Sequence, residues 1–198
     1  MQELARELAT LHRSGRIHRD ISSNTVAFEW SPPCASLIAD VREEAISFGG
    51  LVPDPERCPP ELRRSQACDI PPSIDEARRV LIAHGILMVP ERIDLYQFGT
   101  LLCRQITGRS LQAYLSSPGV LFRVPAAARR VIDGCIGYDE LHCLESANQL
   151  LDLLDESLGP AANNLAGNDE AGERQSDTRA DALAETRVFP SMVSTVNS

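Results

Sequence analysis

Between Ile93 and Gly108 the chain reads IDLYQFGTLLCRQITG, a run whose apolar side chains, laid on a 3.6-residue repeat, leave almost no polar face. Such a segment is predicted to be a helix buried nearly all round, and Gly108 supplies its stop. A buried helix needs other elements to cover it, so this run limits the chain to folds that can wrap one.

The remaining text supplies amphipathic covers. Residues 2 to 14 place Leu4, Leu8 and Leu11 on one stripe beside Ala5 and Ala9, with Glu3, Arg6, Glu7 and Arg13 outward and Gly15 as terminator. A short helix over 74 to 84 is predicted with Ser73 as its cap and Ala77, Val80 and Leu81 inward. Pro125 opens a helix to Ile136 whose face is Val131, Ile132, Cys135 and Ile136. A last helix runs from Glu145 or Ser146 to Leu158, with Leu150, Leu154 and Leu158 aligned, Leu151 beside them, and Gly159-Pro160 as the stop. Val26–Phe28 and Ser36–Ala39 read as short strands of a hairpin, joined by the turn-rich 29–34, where Trp30 is expected to be a partly buried anchor. Residues 43 to 64 read as loop. The expected fold is therefore mainly α with a small β-hairpin.

A chain of 198 residues can bury one substantial core. From 159 to 198 the text turns to Asn, Gly, Asp, Glu, Ser and Thr, predicting a disordered acidic tail. With 19 Lys plus Arg against 28 Asp plus Glu, nucleic acid and membrane surfaces are not expected partners. Lysine is absent altogether, so every strong cation is arginine. The six cysteines form no Cys-x-x-Cys pair and the histidines do not stand at ligand spacing, which argues against zinc and against a disulfide framework. Cys103 and Cys135 fall on apolar faces and read as small hydrophobes. Without a signal pattern or a run of about 20 apolar residues, a cytoplasmic location is expected.

One polar stretch stands out from the helical text. Ile17 to Phe28 sets an imidazole, a guanidinium and a carboxylate side by side (His18, Arg19, Asp20) in a short loop between an amphipathic helix and a strand-like run. Such a loop can hold a carboxylate at a defined place near the surface, where a general base would sit.

Leu11-His12-x-x-Gly15-x-Ile17-His18-Arg19-Asp20 resembles the catalytic loop of eukaryotic-type protein kinases, whose pattern is His-Arg-Asp, four residues, then Asn. Three further stretches resemble the same family in the same order. Asp40-Val41-Arg42 stands where the family has Asp-Phe-Gly, and Cys58-Pro59-Pro60-Glu61 where it has Ala-Pro-Glu. Asp94-Leu95-Tyr96-Gln97-Phe98-Gly99 with the exit Thr107-Gly108 follows the wording of the central helix of the family's C-terminal lobe. The ordered series, more than any one motif, makes the resemblance specific, and it covers about residues 1 to 158.

The resemblance implies a protein-kinase-like C-terminal lobe lacking the N-terminal lobe, with 65–92 as an inserted segment. It implies a serine/threonine-type lineage that transfers phosphate from ATP with magnesium, Asp20 as base and Asp40 as metal ligand. For the second metal ligand, counting from Asp20 reaches Thr25, while the available asparagine, Asn24, comes one position early. Either could fill the place. His18 is expected to pack beneath the loop, Arg19 to receive phosphate on the activation segment (where Ser47 is the only hydroxyl between Asp40 and Pro60), and Asp94 to pin the loop backbone. In the family an arginine pairs with the glutamate at the Glu61 position; its place here looks like Cys143, so Glu61 is expected to have lost its partner. Val41 and Arg42 alter the Asp-Phe-Gly site, and no glycine-rich loop or strand lysine is present to grip a nucleotide. The chain alone is expected to be inactive. Two readings stay open: a kinase lobe needing an upstream small lobe as partner, or a non-catalytic pseudokinase-like interaction module using 65–90 as a binding surface.

Overall fold

The structure, a computed structural model, describes residues 1–31, 33–50, 54–116, 124–137 and 143–158. The predicted tail over 159–198 lies outside the described residues, as does the side chain of Trp30. In chain order the elements are α1 (Gln2–Arg13), β1 (Val26–Trp30), β2 (Pro33–Leu37), β3 (Ile46–Phe48), α2 (Pro60–Arg63), β4 (Cys68–Ile70), α3 (Ile74–Ala83), α4 (Arg92–Thr107), α5 (Leu111–Ser116), α6 (Ala126–Ile136) and α7 (Ala147–Leu158). Roughly half of the described residues are helical, and the strands make two small antiparallel sheets. No helix among the described residues is long and apolar enough to cross a membrane.

α4 is the buried helix, with every residue from Arg92 to Cys103 inside the protein. It closes on Gly108, whose φ of +66° is the left-handed conformation that glycine adopts without a Cβ clash. α6 crosses it so closely that a Cβ added at Gly99 would lie 2.5 Å from Cβ of Cys135 and 3.1 Å from Cγ2 of Ile136. α7 packs against α6 and α1, and α1 against β2. The resulting core joins Leu4 and Leu8 of α1 to Leu95, Phe98, Val131 and Leu150. A second cluster lies toward the start of α4, where Ile93 meets Ile17, Phe48, Leu62, Ile70 and Leu81.

Local chemistry explains the helix ends. Ser73 Oγ accepts from the Glu76 amide at 3.4 Å and starts α3. Ser146 Oγ accepts from the Gln149 amide at 3.3 Å while Gln149 Oε1 accepts from the Ser146 amide at 3.2 Å, a reciprocal cap that places the start of α7.

Two expectations need correction. The hairpin is longer than predicted, pairing Val26 with Leu37 through Trp30 with Pro33, so most of the supposed turn is strand. It is also not alone: β3 pairs with β4, Ile46 opposite Ile70 and Phe48 opposite Cys68, within text read as loop and connection. Strands of three residues are too short to display a period of two, and β3 and β4 are far apart in sequence. The segment 65–92 is built into the second core through Ile70, Ile74, Ala77 and Leu81. It also holds the loop directly, since the Ile17 amide donates to Pro72 O and the Ile74 amide to Gly15 O, both at 2.9 Å.

Gly99→Ala should lower the thermal midpoint. Overpacking of this severity costs about 1–3 kcal/mol, more than the roughly 1 kcal/mol that alanine gains in a helix. An unchanged midpoint in a calorimetric scan would contradict the close crossing of α4 and α6.

Candidate functional site

The loop after α1 is organised by a carboxylate from α4. Asp94 is fully buried; its Oδ1 accepts the Arg19 amide at 2.6 Å and its Oδ2 the His18 amide at 2.7 Å. His12 Nε2 lies 2.9 Å from the same Oδ2, tying the end of α1 to the loop, while His12 Nδ1 is buried without a partner among the described residues. Between the two amides the backbone turns through Arg19 at φ +67°, the only positive φ of a non-glycine among the described residues. A left-handed residue of this kind costs about 1–2 kcal/mol, and amide bonds to a charged acceptor are strong enough to hold it.

One turn along α4, Gln97 continues the work. Its Oε1 accepts the Ile21 amide at 2.8 Å, and its Nε2 donates to Arg19 O and Arg57 O, both at 3.0 Å. The same helix holds the segment before α2: Thr100 Oγ1 is 3.0 Å from Glu56 O, and the Tyr96 hydroxyl donates to Pro55 O at 2.6 Å. Arg63 donates to that hydroxyl and sits over the Tyr96 ring at 5.5 Å. Burial pushes the Tyr96 phenol up to about 12, despite the opposing charge of Arg63.

His18 is buried under the loop. The Asp20 amide donates to its Nδ1 at 3.3 Å, which leaves Nε2–H to donate to Ala39 O at 3.1 Å. Arg19 is buried completely, and its guanidinium donates to the carbonyls of Glu44 and Ile70 at 2.9 Å and of Arg42. Burial lowers its pKa while Asp94 acts the other way. Arg19 thus binds backbone on both sides of β3–β4, and Ser47 stands exposed on β3.

Asp20 faces a cleft of about 530 Å³ bordered by Ser22, Asn24, Thr25, Arg42 and Arg57. Its carboxylate is engaged at both ends, Oδ2 with Arg42 Nη2 and Oδ1 with Arg57 Nη2, each at 3.2 Å. The Thr25 hydroxyl is turned inward, donating to Asp20 O at 2.5 Å and accepting from the Ser22 amide at 2.9 Å. Asn24 and Asp40 are exposed; Asn24 lines the cleft and Asp40 does not. Among the described residues no three His, Cys, Asp or Glu side chains gather as a metal-holding group. A magnesium ion against phosphates needs carboxylate or amide oxygens converging on it. This donor set does not fit: one carboxylate is already paired to cations, and Asp40 is outside the cleft.

Glu61 has a partner, contrary to expectation. Arg92, 3% exposed at the start of α4, reaches Glu61 Oε1 at 3.3 Å and donates to Cys135 O at 3.0 Å. A Cβ added at Gly137 would lie 2.7 Å from Arg92 Nη2 and 3.2 Å from Cys143 Sγ, so this guanidinium fills the space beside Cys143 from a different point in the chain. Nothing in the linear order of residues pairs position 92 with position 61.

The contacts of His12, Gln97, Arg42 and Arg57 were likewise missed. Only Gln97 had a readable signal. A polar residue three positions after Asp94 on a helix predicted to be buried must find hydrogen-bond partners inside.

Compared with protein-family models and with curated proteins, the chain finds no match in either.

Asp94→Ala would strand the amides of His18 and Arg19 in the interior and leave His12 without its acceptor. The expected loss is about 3–5 kcal/mol in denaturant unfolding, with Asp94→Asn intermediate because it retains one acceptor. A loss under about 1 kcal/mol for the alanine variant would show that the loop is held by something else.

Proposed function

We propose that the chain is a protein-kinase-like C-terminal lobe that acts as a non-catalytic interaction module. The observation that carries this reading is the setting of Asp20: a base for phosphoryl transfer must accept from a substrate hydroxyl, and here a guanidinium 3.2 Å from each carboxylate oxygen competes for that place. One of these belongs to Arg42, in the position where the family resemblance calls for a glycine. Asp40, the magnesium ligand on that resemblance, is exposed and is not among the residues lining the cleft, and the Thr25 hydroxyl is spent on the loop's own backbone.

The kinase relationship itself draws support from the way Asp94 holds the His18 and Arg19 amides, the backbone-pinning role that the resemblance assigns to it. Support for an interaction role comes from segment 65–92, which leaves Ile82 62% and Leu87 95% exposed. Six free cysteines suit a reducing, cytoplasmic setting. The same network favours a second reading, a lobe completed by an upstream kinase small lobe, because a pinned loop is what a joined small lobe would need to find.

Titration calorimetry with ATP and magnesium separates catalysis-ready from non-catalytic forms. The proposal expects no magnesium-dependent heat of binding up to millimolar nucleotide. Micromolar binding that disappears in Asp40→Ala would overturn it.

A further inference from the structure

We infer that the cleft at Asp20 is a seat for a phosphomonoester, and that Asp20 is its built-in occupant. The inference stands on the geometry of the cleft and holds whether or not the chain is related to kinases.

Arg42 follows β2 and Arg57 precedes α2, yet both reach the same carboxylate, one to each oxygen at 3.2 Å. Two guanidiniums brought together from separate parts of the chain form a paired fork of the kind that grips planar or tetrahedral anions. The pairing is open to exchange, since the Arg42 and Arg57 side chains are 63% and 41% exposed. Ion pairs this accessible are worth little and yield to a better partner. Arg57 Nε is buried without an acceptor among the described residues, so the fork has donor capacity that Asp20 does not use. Exposed Ser23 and Asn24, with the half-buried Ser22, add hydroxyl and amide donors along the lining.

Among the described residues, the other acids of the cleft form no ion pair with Arg42 or Arg57. Glu56 Oε2 pairs with Arg104 at 2.9 Å and its Oε1 accepts the Leu111 amide at 3.2 Å, while Asp54 accepts the Glu56 amide at 2.9 Å. For the two guanidiniums, an arriving anion therefore competes with Asp20. A carboxylate would bring the same charge as Asp20 and gain nothing over a tethered rival. A phosphomonoester carries close to two charges and three acceptor oxygens, enough to engage both forks and the neighbouring hydroxyls together. A cleft of about 530 Å³ has the size of small-ligand sites and leaves room for what the phosphate is attached to. That carrier is a phosphorylated side chain of a partner or a small phosphate ester; the chemistry at the seat is the same.

The test is titration calorimetry in EDTA without magnesium, which keeps it separate from nucleotide binding through Asp40. The probes are a phosphoserine peptide, its unphosphorylated twin, and free O-phosphoserine. The expected result is saturable binding of the phosphorylated peptide and none of its twin. Arg42→Gln and Arg57→Gln should each weaken binding about tenfold or more, the worth of one charge-assisted hydrogen bond. Asp20→Asn, which keeps the side chain's shape and removes the competitor, should tighten binding severalfold, with circular dichroism confirming that each variant is folded. Equal affinity for free O-phosphoserine would assign the seat to small esters, and preference for the peptide would assign it to a phosphorylated partner. The inference is overturned if neither phosphoester binds saturably, if both arginine variants bind as the parent does, or if Asp20→Asn binds more weakly.

Discussion

A fully buried carboxylate, Asp94, is the constraint on which the loop architecture depends. Taking such a charge out of water is costly unless strong donors surround it, and here they are two backbone amides and a histidine. Because the amides belong to adjacent residues, the carboxylate dictates backbone conformation as well as position, and Arg19 turns through positive φ to bring both into reach. The reversal points the Arg19 side chain inward, where it ties β3–β4 and the segment after β2 to the loop through three carbonyls.

α4 works as a ruler for this arrangement. Its apolar side chains serve both cores, and its polar ones, Asp94, Gln97 and Thr100, recur every third residue along one line. That line contacts the loop of residues 18–21 and then Glu56 and Arg57. Asp20 and Arg57 meet because the same helix positions the backbone of both. The close crossing of α6 at Gly99 keeps α4 from shifting against its support. Rigidity at the loop thus follows from packing on the opposite side of the helix.

Contacts that hold the loop and contacts open to exchange lie a few residues apart. His18, Arg19 and Asp94 are engaged in holding the loop, while Asp20 at its tip is paired with Arg42 and Arg57. The first set is buried and, apart from the His12–Asp94 pair, its contacts are to backbone; the second is partly exposed and its contacts are side-chain pairs. Exchange of partners is therefore possible at Asp20 and costly at Asp94.

The five longer helices were legible because burial stamps a 3.6-residue period on the text: Leu4 and Leu8, Ala77 and Leu81, and Leu150 and Leu154 all face inward, whereas α2, inside text read as loop, and α5 are too short to show it. Ser73 could be read as a cap for the same local reason. The sheet of β3 and β4 was not legible, since three residues carry no period and their partner is remote in the chain. The candidate site was half legible. Ile17 to Asp20 could be picked out as a positioned loop, but the guanidiniums on Asp20 and the pairing of Arg92 with Glu61 arise from tertiary proximity alone.

Native-state hydrogen exchange at the amides of His18 and Arg19 tests the central claim most directly. If Asp94 holds the loop, these two amides exchange only with global unfolding, at the rate of the core of α4, although they lie in a loop. Exchange as fast as that of the exposed Asn24 amide would show that the loop opens locally, and that the carboxylate does not govern it.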